Sequence, residues 1–378
     1  MKRFLSFLTV LLLILSLLPV GAGAATLSLS SESALLMEKS TGRVLYAMNE
    51  HARLEPASVT KVMTLLLTME AIDAGRLGYD DTVCCSAHAA GMGGSQVYLK
   101  EGEEMTVREL LKAVCVASGN DAAVALAEHI AGSEEEFVAK MNARAAELGM
   151  ADTVFCNCSG LPAEGHLTSA YDIALMSREL ILHHPDIRSF TTIWMDSLRN
   201  GTFTLSSTNK LLRQYSGCTG LKTGSTSSAG FCISATAEKE GMELIAVTMN
   251  AQTGAERSND AKVLLNYGFA AYALQEVQSE LPLPALPVHL AEEQSVTPVL
   301  TDNTVLLKKE QLGTLRQEPV TAEELTAPLA AGEQVGTLTL YSDNERIAEL
   351  PLVLACDIEK ISFRALLGRV YRFVLFSG

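Results

Sequence analysis

The sequence predicts an α/β (α+β) chain in two folded parts, closed by an amphipathic helix. The parts are a helix-and-strand region reaching residue 275 and a small all-β domain over 276–357; the helix covers 358–378. Three observations predict this. Apolar residues at helical spacing alternate with short β-branched runs as far as Gln275. Beyond it, Pro282-Leu283-Pro284 and Pro287 precede short strand-like runs separated by turns. A basic segment with an apolar stripe then ends the chain.

The first element is a leader. Lys2 and Arg3 precede an apolar stretch, Phe4 to Val20, and Ala22-Gly23-Ala24 supplies the small residues that signal peptidase accepts. Residues 1–24 are therefore expected to be a cleaved secretory signal, with a retained N-terminal anchor as the alternative. About 350 residues remain, enough for two domains, with the first spanning 25–275. The whole chain carries a net charge of −15, and loss of the leader makes it more acidic still. Such a chain repels phosphates, so nucleic acid is not an expected partner.

Within 25–275, Pro56-Ala57 leads into Ser58, and Val62, Leu65, Leu66 and Met69 follow at helical spacing. Ser58 is placed at a helix start, where free N–H groups favour developing negative charge. Lys61, three residues on, shares its face. A serine hydroxyl needs a base, and a lysine serves if burial or another cation keeps it neutral. Read alone, the pair is an ordinary N-cap serine with a solvated lysine.

A second motif changes that balance. Leu110, Leu111, Val114 and Cys115 form a helical face ending at Ala117; Ser118-Gly119-Asn120 interrupts it, and Ala122, Val124, Ala125, Leu126 and Ile130 resume. A helix stop followed by a cap explains this locally. Functionally, Ser118 would shuttle a proton to a leaving group, while Asn120 binds substrate backbone and holds Lys61.

The third motif is Lys222-Thr223-Gly224, within Gly220 to Gly224, followed by the turn Ser225 to Gly230 and a strand from Phe231 to Ala237. This predicts a β-hairpin with the lysine on an edge strand. Gly224 would let a ligand backbone come close, and Lys222 would attract a carboxylate and depress the basicity of Lys61.

In 276–357 the strands expected are Thr304 to Leu307, Gln334 to Tyr341 and Ile347 to Leu354, with Ser342-Asp343-Asn344 as a turn. In 358–378, Leu366, Leu367, Val370, Phe373, Val374 and Leu375 fall on one helix side and Lys360, Arg364, Arg369 and Arg372 on the other. This fits a helix lying in an anionic membrane surface, too short and charged to span it. A helix packed on its own β domain is the alternative.

The eight cysteines suggest no zinc spacing and no nucleophile. Cys218 and Cys232 flank the hairpin, leaving both a cross-strand disulfide and free buried thiols open. The chemistry calls for no cofactor and no metal.

Together, Ser58-x-x-Lys61, Ser118-Gly119-Asn120 and Lys222-Thr223-Gly224 resemble the low-molecular-mass penicillin-binding proteins, the serine D-alanyl-D-alanine carboxypeptidases of peptidase family S11. The resemblance extends to strands at Ala34–Glu38 and Val44–Ala47, to Asn157-x-x-Gly160-Leu161, and to His166-x-Thr168-Ser169-Ala170-x-Asp172. It implies a β-lactamase/transpeptidase-like antiparallel sheet flanked by helices, with that family's usual β domain and tail. It further implies that Ser58 attacks the penultimate D-alanine of a peptidoglycan pentapeptide, with Lys61 as base. Water hydrolyses the acyl-enzyme, and β-lactams trap it. The N–H groups of Ser58 and Ser225 would hold the oxyanion, and Thr223 and Asn120 would orient the peptide. Arg257 aligns with an arginine used near the substrate carboxylate, although it could equally cap or pair with its own helix. His166 is expected to be structural. The place of action implied is the outer face of a bacterial cytoplasmic membrane, or the wall.

Two rivals stand beside this reading. A class A β-lactamase would need a water-activating glutamate in a Glu-x-x-Leu-Asn segment; Glu147-Leu148 and Glu179-Leu180 lack that context and read as surface glutamates. A catalytically silent wall-binding scaffold would have no need of Ser58, Lys61, Ser118, Asn120 and Lys222 together.

Overall fold

The structure is a computed structural model, and it describes residues 27–278, 283–301 and 303–376. The leader (1–24) and Pro282 lie outside the described residues, as do the side chains of Phe373 and Val374. The chain divides into two compact units, residues up to Leu265 forming most of one and residues from Asn266 onward most of the other.

The first unit is built on a five-stranded sheet. Its strands are β1 (Ser33–Glu38), β2 (Val44–Met48), β3 (Cys218–Thr226), β4 (Gly230–Lys239) and β5 (Met242–Ala251). Their order is β2-β1-β5-β4-β3, which leaves β3 on an edge. The β1/β2 and β3/β4 pairs are antiparallel, and Lys222 faces Ser234 across the second. Strand β5 is buried along nearly its whole length, as its apolar sequence demands of a central strand covered on both faces.

Helices α1 (Lys61–Asp73), α2 (Asn120–Ala131) and α3 (Ala170–His183) form the helical layer. Val62, Leu65, Leu66 and Met69 of α1 are fully buried, so the apolar run enters the core as its spacing requires. Helix α1 packs against both α2 and α3, which makes it the axis of the unit. A fourth helix, α4 (Gly254–Ala271), runs without a loop into strand β6 (Tyr272–Glu276).

The second unit is β-rich. Strand β6 pairs antiparallel with β7 (Thr304–Lys308), so strand structure begins at Tyr272, ahead of the expected boundary at 276. The reason is the direct helix-to-strand passage at Ala271. Strands β8 (Gln334–Ser342) and β9 (Glu345–Val353) form a hairpin, and Asp343 and Asn344 take the left-handed conformation (φ 48° and 68°). That is the two-residue turn whose twist suits a hairpin, and Asn and Asp tolerate it. Leu307, Leu338, Leu340 and Leu352 fill its core.

The closing helix, α5, covers Phe363–Phe376, so it begins after the expected 358. Residues 358–362 are held extended: Ile358 bridges to Leu329 and Lys360 to Ala291, and Ile361 N–H donates to Leu290 O at 2.7 Å. Ile358 is buried in the β core. Arg369 reaches back to the carbonyls of Ala291 and Glu292, while Phe363, Leu367, Val370 and Leu375 are exposed. No helix among the described residues is long and apolar enough to cross a membrane.

All the cysteines are free. Cys218 faces Ala237 and Cys232 faces Gly224, so these two stand at opposite ends of the β3/β4 hairpin. At a rise of about 3.3 Å per residue they are far beyond disulfide reach.

Candidate active site

Ser58 lies in a 3-10 turn, Ala57–Thr60, that opens directly into α1. Ala57 is forced to φ 48°, a conformation costly for a residue with a Cβ. Two glycines crowd this turn. A Cβ on Gly160 would stand 1.9 Å from Ala57 O, and one on Gly224 would stand 2.8 Å from Ser58 N. Bare backbone on both sides therefore lets the loop at 157–160 and strand β3 close on the serine.

Lys61, the first residue of α1, is completely buried. Its Nζ lies 2.9 Å from Ser58 Oγ, 2.6 Å from Asn120 Oδ1 and 2.6 Å from Ser159 O. Two of these partners are carbonyl oxygens that only accept. A neutral amine donates its two N–H groups to them and turns its lone pair to the Ser58 hydroxyl. Burial first, and then the charge of Lys222, hold the Lys61 ammonium well below the ordinary lysine range. The neutral form that this arrangement needs is the form the environment favours.

The Ser118 turn follows a π-helical stretch, Ala113–Ala117, and Ser118 itself is left-handed at φ 62°. Ser118 stops one helix and Gly119 opens α2, so the turn takes two residues. Lys222, also buried, sits 2.8 Å from Ser118 Oγ and donates to Thr223 O at 2.8 Å. Burial pulls Lys222 down to about 7, with Arg257 reinforcing the shift and Cys115 opposing it. Thr223 Oγ1 lies 2.7 Å from Thr208 Oγ1.

The structure thus forms two hydrogen-bonded groups, Ser58–Lys61–Asn120 and Ser118–Lys222, and couples them through the charge of Lys222 on Lys61. Ser58, Ser118, Thr223, Gly224, Ser225 and Arg257 all line a single cleft of about 790 Å³. Arg257 is 8 % exposed, lies beside the Phe231 ring, and its Nε has no partner among the described residues. A buried cation with a free donor at the wall of a cleft is suited to an anion. That favours the ligand-facing reading of Arg257 over the capping one.

Several contributors escaped the sequence reading. Asn120 also donates through Nδ2 to Gly93 O at 2.6 Å, and Asp121 accepts from the N–H groups of Val97 and Leu99. Together they tie the 93–99 loop, with Ser95, to the cleft wall. Asn157 Oδ1 accepts from Gly160 N–H at 2.7 Å, Thr64 donates to Cys158 O at 2.6 Å, and Glu134 accepts from Cys158 N–H at 3.0 Å. These bonds aim Ser159 O at Lys61. The quoted Asn157-x-x-Gly160 pattern marked that loop, but a backbone carbonyl leaves no signature of its own.

His166 receives the Cys156 N–H on Nδ1 at 3.0 Å, so its Nε2 carries the proton and donates to Thr60 Oγ1 at 2.8 Å. Burial lowers it to about 4. It is a neutral strut under the 3-10 turn. Glu147 and Glu179 both pair with Arg144, away from the cleft. Among the described residues that line the cleft there is no Asp or Glu. Nor do three His, Cys, Asp or Glu side chains gather anywhere among the described residues to hold a metal ion.

Comparison with known proteins agrees with this geometry. Residues 21–253 match the family described as D-alanyl-D-alanine carboxypeptidase, peptidase S11, and residues 285–360 match the penicillin-binding protein 5 C-terminal domain. The chain is 42 % identical, over 381 aligned positions covering 98 % of each chain, to the D-alanyl-D-alanine carboxypeptidase DacF of Bacillus subtilis. Among solved structures it is similar to penicillin-binding protein 5 from Haemophilus influenzae (TM-score 0.80, 28 % identity, 89 % of this chain and 100 % of that one). It is also similar to penicillin-binding protein D2 from Listeria monocytogenes in its ampicillin-bound form (TM-score 0.60, 33 % identity, 65 % and 99 %). With a buried lysine set against a serine beneath an edge strand, and with both parts of the chain matched, this protein belongs to the D-alanyl-D-alanine carboxypeptidases of peptidase family S11.

Proposed function

We propose that the enzyme removes the terminal D-alanine from peptidoglycan pentapeptide stems through an acyl-enzyme on Ser58. The observation that carries this reading is the setting of Lys61, buried, deprived of basicity and 2.9 Å from the serine hydroxyl. Lys61 takes the Ser58 proton as Oγ attacks the carbonyl of the penultimate D-alanine. The N–H groups of Ser58 and Ser225 receive the oxyanion, at about 3 kcal/mol per donor. Ser118, bonded to Lys222, passes a proton to the departing amine. Thr223 and Arg257 take the terminal carboxylate, and Asn120 orients the peptide along the open edge of β3. Water then hydrolyses the ester.

A β-lactam offers the same carboxylate and a strained amide, so it should acylate Ser58 and remain there. Among the described residues that line the cleft no glutamate is placed to speed its release, which supports a penicillin-sensitive peptidase over a β-lactamase. The leader sequence supports export. The exposed apolar residues of α5, with arginines on its other side, support attachment to an anionic membrane surface on the outer side of the cell.

The test is intact-protein mass after addition of benzylpenicillin to residues 25–378, with Ser58→Ala as control, followed by assay of D-alanine release from a pentapeptide. The reading expects a long-lived adduct on the unaltered enzyme alone. A transient adduct with consumption of the drug would favour a β-lactamase. Folded protein that forms no adduct and releases no D-alanine would leave a silent scaffold.

A further inference from the structure

The cleft extends past the position proposed for the terminal carboxylate. Its volume, about 790 Å³, is several times what an alanine residue fills. From Ser58 it runs by Thr223 to Thr208, whose hydroxyls touch, and then to Lys210 and Gln214 around the short helix Leu211–Gln214. Lys262, on α4, closes that end, its Nζ 3.1 Å from Gln214 Oε1. Lys262 is five residues beyond Arg257, a rise of about 7.5 Å along the helix.

Two cationic positions therefore share one cleft wall. Arg257, beside Phe231, serves the first; Lys210 and Lys262, the latter bonded to Gln214, make the second. Among the described lining residues no carboxylate balances either, although the chain as a whole carries −15. One carboxylate on a leaving D-alanine occupies only the first position. The methyl group of D-alanine offers nothing to the second.

We propose that Lys210, Gln214 and Lys262 form a second anion-binding position, through which the enzyme accepts a leaving D-amino acid whose side chain ends in a carboxylate. This deepens the carboxypeptidase reading and rests on it. The chemistry is unchanged: the Ser58 Oγ–carbonyl bond forms, the amide C–N bond breaks, and the amine departs with the proton relayed through Ser118. Water then releases the acyl group and restores the hydroxyl. What the second position adds is recognition of the departing half, by charge-assisted hydrogen bonds to a carboxylate too far out for Arg257.

The bland alternative is that the lysines merely draw anionic peptides toward the cleft. Steering responds to an extra carboxylate wherever it sits on the substrate, whereas a subsite responds to it only on the leaving residue. An acyl-D-Ala-D-Gln control therefore carries the extra carboxylate on its acyl half and should gain nothing from the lysines. The experiment compares kcat/KM for acyl-D-Ala-D-Ala, acyl-D-Ala-D-Glu and acyl-D-Ala-D-Gln with the unaltered enzyme, Lys210→Gln, Lys262→Gln, the double variant and Lys262→Glu. D-Glu is expected to exceed D-Gln by about fivefold per lysine, the upper range for partly exposed ion pairs, and the ratio to fall to one in the double variant. Lys262→Glu should move the preference toward acyl-D-Ala-D-Lys. No preference of D-Glu over D-Gln in the unaltered enzyme would overturn the proposal, and so would variants that lower all substrates by one common factor. If acyl-D-Ala-D-Ala is turned over without that preference, only the second position fails. If nothing is turned over, the carboxypeptidase reading fails with it.

Discussion

The Nζ of Lys61 lies 2.6 Å from the side-chain oxygen of Asn120, a neutral acceptor at the one place where a charged acceptor would be ruinous. Asn120→Asp changes one atom and sets a carboxylate there. An opposite charge at that distance favours the protonated lysine. The variant also loses the Nδ2 bond to Gly93 O, which should loosen the 93–99 loop at every pH. It should acylate with benzylpenicillin on the order of a hundredfold more slowly at neutral pH and recover as pH rises. Acylation rates from pH 5 to 10 test this; an unmoved profile would show that Lys61 is not the base.

Lys222 acts on the same base from the other side, because its positive charge is the second cause of the low Lys61 basicity. Lys222→Gln removes that charge. Its residual acylation should rise with pH later than that of the unaltered enzyme, with the acid limb displaced upward. A displacement downward, or none, would separate the two lysines.

The burial of Lys222 also has a stability cost of predictable sign. Its folded value of about 7 lies below the unfolded 10.5. Between those values the unfolded chain binds the extra proton, so stability rises with pH there, and the full cost applies below about 7. Lys222→Met should therefore melt higher than the unaltered enzyme at pH 6, and the difference should shrink toward pH 10. Calorimetry at three pH values would check it.

Gly160 presses on Ala57 O with no room for a methyl group, at φ +82°. Gly160→Ala should cost about 2–3 kcal/mol of stability and displace Ser58. Loss of penicillin labelling with an unchanged melting temperature would contradict this packing account.

Deleting residues 363–378 removes α5 but keeps the extended 358–362 segment that completes the β core. The truncated enzyme should lose binding to anionic vesicles and turn over a soluble peptide at the original rate. Retained vesicle binding would assign membrane attachment elsewhere.

Side-chain chemistry packed into short motifs was legible in the sequence, and backbone chemistry was not. Ser58 and Lys61, one helical turn apart, could be placed on one face from spacing alone. So could the Asp343-Asn344 turn, because few residues accept its dihedral angles. The carbonyl of Ser159 was invisible because any residue carries one. Thr208 meets Thr223 only through the fold, and no local pattern reports a pairing made across an intervening helix. The late start of α5 was missed because residues 358–362 spend their backbone bonds on Leu329 and Ala291, partners that lie about 30 and 70 residues away.

Strand β3 is a sheet edge left open. Most proteins shield such an edge, since an unpaired row of N–H and C=O groups welcomes any extended chain, including a second copy of the same strand. Here the exposure is narrow: the 3-10 turn at Ser58 presses against Gly224, and Lys222 and Thr223 are both buried. Only a few residues of ladder stay available. On the carboxypeptidase reading, a peptide docking there would be short and end soon after it arrives, and the same crowding would disfavour pairing with a second copy of the strand.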